Sequence, residues 1–165
     1  MLKKLFVASA ILAASTTVAF ANGVPYVGAG LGIKSTNGAR YMPINVFAGY
    51  GAIVSPGLYV AGELGADLTS VNLSNTSSLK TTHGLGVSVI PGVMLSDNTM
   101  LYGRLGIIRS KFSTRYANGG QLGLGMETRM AQNVSVRGEY VYTSYNRSQS
   151  PKSDQFNLGL VYKFE

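Results

Sequence analysis

Five charged residues sit where they could act on one another. Glu63, Arg104, Glu127, Arg137 and Glu139 each lie in a stretch of two-residue alternation, on a face otherwise rich in glycine, as in E-L-G at 63–65, R-L-G at 104–106 and R-G-E at 137–139. A period of two places such residues on one side of a β-strand. If the strands enclose a narrow interior, these carboxylates and guanidiniums must pair, because an unpaired buried ion is costly. A fixed pairing makes a static plug, and a pairing that exchanges partners makes a gate.

A second set is basic. Lys34, Arg40, Lys80, Arg109, Lys111, Arg115, Arg147 and Lys152 fall in or beside connections rich in Ser, Thr, Asn and Gly, where Asp154 is the only acid fully inside. The whole chain carries 14 Lys and Arg against 7 Asp and Glu, a net charge of +7. Such loops suit polyanions. The cations show no regular spacing and no recognition module accompanies them, so nucleic acid is set aside.

Signals for catalysis are sparse. The one histidine, His83 in T-T-H-G, has no serine or acid at a meaningful spacing for nucleophilic catalysis. There is no cysteine, hence no disulfide and no thiolate site, and no ligand cluster for a metal. G-A-G-L-G at 28–32 superficially matches a nucleotide loop but lies within an alternating stretch and precedes no helix. Neither an enzyme nor a cofactor is expected.

The positioning elements are strands. Alternation runs through 26–34, 44–53, 58–68, 84–95, 100–112, 121–130, 134–145 and 156–164, each near the roughly 9–11 residues that a tilted strand needs to cross a bilayer. Connections alternate in length: short ones at 54–57, 96–99 and 131–133 have turn chemistry, and long ones fall at 35–43, 69–83, 113–120 and 146–155. One face is aliphatic (Leu31, Val46, Leu64, Val87, Leu105, Leu124), and the other carries glycine with Glu63, Asp67, Arg104, Glu127, Arg129, Arg137 and Glu139. Rows of glycine are poor surface for a soluble sheet. They suit a crowded interior, with the aliphatic face turned to lipid. Sheet edges cannot face hydrocarbon, so the strands must close, 156–164 pairing with 26–34. The expectation is an all-β, eight-stranded antiparallel up-and-down transmembrane barrel with short periplasmic turns and long extracellular loops. Tyr26, Tyr41, Tyr50, Tyr59, Tyr102, Tyr140, Tyr142, Tyr162 and Phe164 are expected to form interfacial girdles.

Residues 1–21 read as a secretory signal peptide: Lys3 and Lys4, an apolar run from Leu5 to Ala14, and Ala19-Phe20-Ala21 as the cleavage site. Residues 22–165 then form one barrel domain. Charged residues make up 13% of the chain, about half the usual share of roughly 25% in soluble domains.

E-L-G-A-D at 63–67, P-G-V-M-L-S-D-N at 91–98, Y-G-R-L-G at 102–106 and V-R-G-E-Y at 136–140 resemble the transmembrane domain of outer membrane protein A and its small relatives. The closing L-G-L-V-Y-K-F resembles that family's assembly signal, here Tyr162 and Phe164, although Glu165 follows the aromatic. The resemblance implies an outer-membrane location, the barrel-assembly machinery and periplasmic chaperones as partners, and a monomer. It further implies that Glu63 and Arg137 form a pair able to exchange with Arg104 and Glu139. No peptidoglycan-binding segment follows the barrel, so a wall-anchoring role is not expected. In this setting the basic loops would neutralise lipopolysaccharide phosphates, or, more sharply, adhere to anionic host or surface polymers. The leading expectation is a non-catalytic envelope and surface protein. The alternative is a narrow or gated porin, and a lipid A-modifying enzyme, resting on His83, is third.

Overall fold

The computed structural model of the chain describes residues 23–36, 39–72, 81–112, 115–146 and 152–164; the leader read over residues 1–21 lies outside them. The described residues form eight strands: β1 (Val24–Thr36), β2 (Ala39–Ser55), β3 (Leu58–Asn72), β4 (Thr81–Ser96), β5 (Thr99–Phe112), β6 (Arg115–Arg129), β7 (Val134–Tyr145) and β8 (Lys152–Lys163). Each pairs antiparallel with the next, and β8 returns to β1 to close the barrel, with Tyr26 opposite Lys163 and Lys34 opposite Gln155. The closing partner is the one that the need to hide sheet edges dictates.

Alternation sets the two surfaces. Leu85 and Ile107 on the outer face are each 66% exposed, and Leu64, Leu105, Leu124 and Leu158 continue the belt. A contiguous apolar surface of this kind belongs in hydrocarbon, where every strand's backbone groups must bond to a neighbour. Inside, Ala61, Ile90, Met100 and Val161 pack with Tyr26, Tyr59 and Tyr102 near the turn end.

Seven of the eight strands run longer than the sequence suggests, β7 alone keeping the bounds 134–145; they span 12 to 17 residues, and most of the extra length lies at the loop end. Residues 35–36, 39–43, 69–72 and 115–120, read above as parts of long connections, are strand. Only residues 37–38 lie between β1 and β2, and only 113–114 between β5 and β6. Beyond the hydrocarbon the outer face need not be apolar, so alternation fades while backbone pairing continues, with register shifts at Ile44/Asn45 and Thr81/His83; the inner face stays buried at Tyr41 and Ala117. At the opposite end the turns are tight. Ser55-Pro56-Gly57-Leu58 places proline second and glycine third, with Gly57 at φ +79°, which is the chemistry of a type II turn.

The girdle expectation needs correction. Tyr50, Tyr140, Tyr162 and Phe164 do face outward, but Tyr26, Tyr41, Tyr59 and Tyr102 are buried in the lumen. Parity decides it: Tyr26 shares a face with Gly28 and Gly30, Tyr59 with Glu63, and Tyr102 with Arg104. These rings need the missing side chains of glycine. Tyr26 lies opposite Gly49 and Tyr102 opposite Gly125 in the ladder, and a Cβ on either glycine would collide with the facing phenol. Phe47 covers Gly28 in the same way.

Candidate functional site: a charged plug across the lumen

The five charges selected from the sequence meet inside the barrel. Glu63 on β3 is the hub: its Oε1 accepts from Arg104 Nη2 at 2.5 Å and its Oε2 from Arg137 Nη1 at 2.5 Å. Tyr26 Oη also donates to Glu63 Oε2, at 2.9 Å. Arg104 grips Glu139 through Nε and Nη2 and donates from Nη1 to Ser88 Oγ at 3.1 Å. Arg137 donates to Glu127 Oε2 from Nε at 3.1 Å and Nη2 at 2.9 Å. Its guanidinium also lies 4.6 Å from the ring centre of Phe47, 5.1 Å from that of Tyr102 and 5.3 Å from that of Tyr26, within the reach of cation–π attraction.

The network holds a sixth member that sequence reasoning missed. Lys163, near the end of β8, pairs with Glu127 Oε1 at 2.7 Å. Three cations (Arg104, Arg137, Lys163) thus face three anions (Glu63, Glu127, Glu139). Its parity with Gly159 and Val161 was visible, but its height relative to Glu127 depends on register across three strands.

Lys34 is a second correction. Read as a loop cation, it is buried inside, its Nζ 3.7 Å from Asp67 Oδ2 and donating to Tyr145 Oη at 3.5 Å. Tyr145 lies in turn within 3.2 Å of Ser110 Oγ. Between this cluster and the plug is a cavity of about 60 Å³ whose lining includes Asn45, Asp67, Gln121, Gln155 and Asn157, room for about two waters. On the turn side of the plug lies a vestibule of about 380 Å³ that reaches Glu127 and Lys163.

Of the other residues singled out above, Arg40, Arg109 and Lys152 lie at the loop end of their strands. All three are exposed. Lys111 and Arg115 lie in β5 and β6 but their side chains fall outside the described residues, and Lys80 and Arg147 fall outside altogether. His83 pairs through its backbone with Lys111, its side chain likewise outside. Arg129, assigned to the inner face, is exposed at the end of β6, where the lumen opens. Tyr162 and Phe164 stack edge-to-face on the outer surface, centroids 5.1 Å apart, and Phe164 donates its backbone N–H to Pro25 O at 3.0 Å.

The closed eight-stranded barrel matches known proteins in its fold. The outer membrane protein beta-barrel domain family matches residues 5–164. The chain belongs to that family. As an outer membrane protein beta-barrel domain, its place is the cell outer membrane. Among solved structures it is similar to Ail, the attachment invasion locus protein of Yersinia pestis, at 18% identity and TM-score 0.60, covering 86% of this chain and 97% of that one. It is also similar to Neisserial surface protein A, at 16% identity and TM-score 0.59, covering 87% and 98%. Ail has also been solved in complex with the heparin analogue sucrose octasulfate. A sequence search of the curated proteins gives no match.

Proposed function

We propose that this outer-membrane barrel is a non-catalytic surface protein whose outer rim binds polyanions, lipopolysaccharide phosphates in its own leaflet and anionic polymers beyond it. One observation carries the reading. The plug neutralises itself, three charges against three, so the chain's excess of cations lies outside it, and Arg40, Arg109 and Lys152 are exposed. The heparin analogue bound by the similarly folded Ail is in keeping with it. The protein needs no partner subunit in this role. Its last strand, with Tyr162 and Phe164, serves as the signal read by the assembly machinery.

The test is heparin binding by the barrel in zwitterionic nanodiscs. Affinity is expected to fall steeply with salt. The triple variant Arg40→Ser/Arg109→Ser/Lys152→Ser should lose roughly a hundredfold, at about 1 kcal/mol per surface cation. Unchanged affinity in the variant would refute the reading.

A gated channel is the second reading, favoured by the position of Glu63 between two arginines. A carboxylate already bonded to both Arg104 and Arg137 can tighten on one as it loosens from the other. Single-channel recording of wild type, Glu63→Ala and Arg137→Ala tests this. Openings that lengthen or multiply in the variants support a gate, and identical traces in all three rule it out at this pair.

A further inference from the structure

We propose that the vestibule at the turn end of the barrel is a binding site for a small amphipathic carboxylate, entering head first from the periplasm. The cavity of about 380 Å³ falls in the range of roughly 300–1,000 Å³ typical of small-molecule sites. Ile53, Tyr59, Met94 and Met100 supply apolar wall. Met94 and Met100 face each other across the β4–β5 ladder, and their unbranched thioethers adapt to an irregular or mobile chain. The inner end is ionic and asymmetric. Both oxygens of Glu127 are engaged, Oε2 by Arg137 and Oε1 by Lys163.

Lys163 is differently placed. One of its three N–H groups goes to Glu127, which leaves two for a further acceptor. Both residues line the cavity, and the Lys163 side chain, 19% exposed against 3% for Glu127, is the more accessible member of the pair. The Tyr59 ring, 5.9 Å from Nζ, adds an apolar flank beside the charge. A single accessible ammonium at the bottom of an apolar cup fits a monovalent anion with an apolar tail. A polyphosphate or sulfated polymer would meet one ammonium at the bottom, and nearer the mouth Asp97 as well as Arg129. This site is separate from the rim proposed for polyanions, and either can fail without the other.

The probe is octanoate, with octan-1-ol as the uncharged comparator, titrated into the full barrel in phospholipid nanodiscs with ¹³C-methyl methionine. The expected result is saturable movement of the Met94 and Met100 signals with octanoate. Met126, on the outer face, should show only the gradual drift of partitioning into lipid. Lys163→Gln should weaken octanoate at least tenfold and leave octanol unchanged, while Lys163→Arg retains octanoate binding. Ser135 lies on the inner face opposite Val161 and lines the cavity; Ser135→Leu narrows the cup without touching the ion pairs and should weaken both probes, and it decides the matter if Lys163→Gln does not fold. Non-saturating drift at all methionines, equal affinity for octanol and octanoate, or unchanged octanoate affinity in Lys163→Gln or Ser135→Leu would overturn the assignment.

Discussion

Replacing Arg137 with methionine is expected to destabilise the barrel by about 3–5 kcal/mol, the cost of removing one partner from a buried ion pair. Arg137 is 3% exposed and holds Glu63 and Glu127 while lying against the rings of Phe47, Tyr26 and Tyr102. Without it Glu127 keeps only Lys163, and Glu63 must share Arg104 with Glu139. Methionine fills much of the space but offers no charge. The carboxylates are therefore left partly uncompensated, and the loss comes more from them than from missing contacts. Neutralising one carboxylate along with it, as Arg137→Met/Glu63→Gln, should recover much of the stability, since it leaves Arg104 with Glu139 and Lys163 with Glu127, and removing both members of a buried pair often costs little. Urea unfolding in lipid vesicles, followed by far-ultraviolet circular dichroism, measures both. A loss below about 1 kcal/mol in the single variant would mean that water already enters the plug and screens it.

Alanine in place of Gly125 should cost about 1–3 kcal/mol as an overpacking substitution, whereas alanine in place of Gly138 should cost nothing or stabilise slightly. The two glycines lie on adjacent strands but meet opposite surroundings. A Cβ on Gly125 would enter the Tyr102 phenol and approach Gly138 O at 2.9 Å, while a Cβ on Gly138 meets nothing within 4 Å. At the open position the lowered entropy of the unfolded chain is the main term, worth about 0.4–1 kcal/mol. Tyr102→Ala should remove most of the Gly125→Ala penalty, a non-additivity that a double-mutant cycle reads directly. Tyr102→Phe should be nearly silent, because the Tyr102 hydroxyl is buried without a hydrogen-bond partner among the described residues. Additive losses for Gly125→Ala and Tyr102→Ala would show that the ring does not depend on the glycine.

Two-residue periodicity made much of this molecule legible. It located eight strands, their inner and outer faces, the short-turn end and the closing pair, because a lipid-facing barrel must alternate and must hide its edges. It also placed Glu63, Arg104, Glu127, Arg137 and Glu139 on the inside, where charge balance requires that they meet. Lys34 and Lys163 were harder to read. Each lies near a strand end, where a lumen cation and a rim cation look alike until the register across neighbouring strands is known. Tyr26, Tyr59 and Tyr102 were misread for a related reason: aromatic residues near strand ends occur both at the headgroups and over lumen glycines. Parity separates the two, and the inner face of Tyr26 was already marked by Gly28 and Gly30. The strand extensions past the outer leaflet left little periodic trace, since their outer face need not be apolar and their inner face buries residues as unlike as Tyr41, Ala117 and Ser153.

The seam between β1 and β8 also orders events in time. Until the last strand arrives, β1 has a bonded neighbour on one side only, and its other edge is open to any strand that passes. A chain stopped before Phe156 would therefore not be a smaller barrel; it would be an open sheet with two adhesive margins. Closure also joins the most distant parts of the sequence, so it bears the largest chain-entropy cost and belongs late in folding. The cell must keep the whole polypeptide in hand until its final dozen residues are present, and only then can the circle be completed.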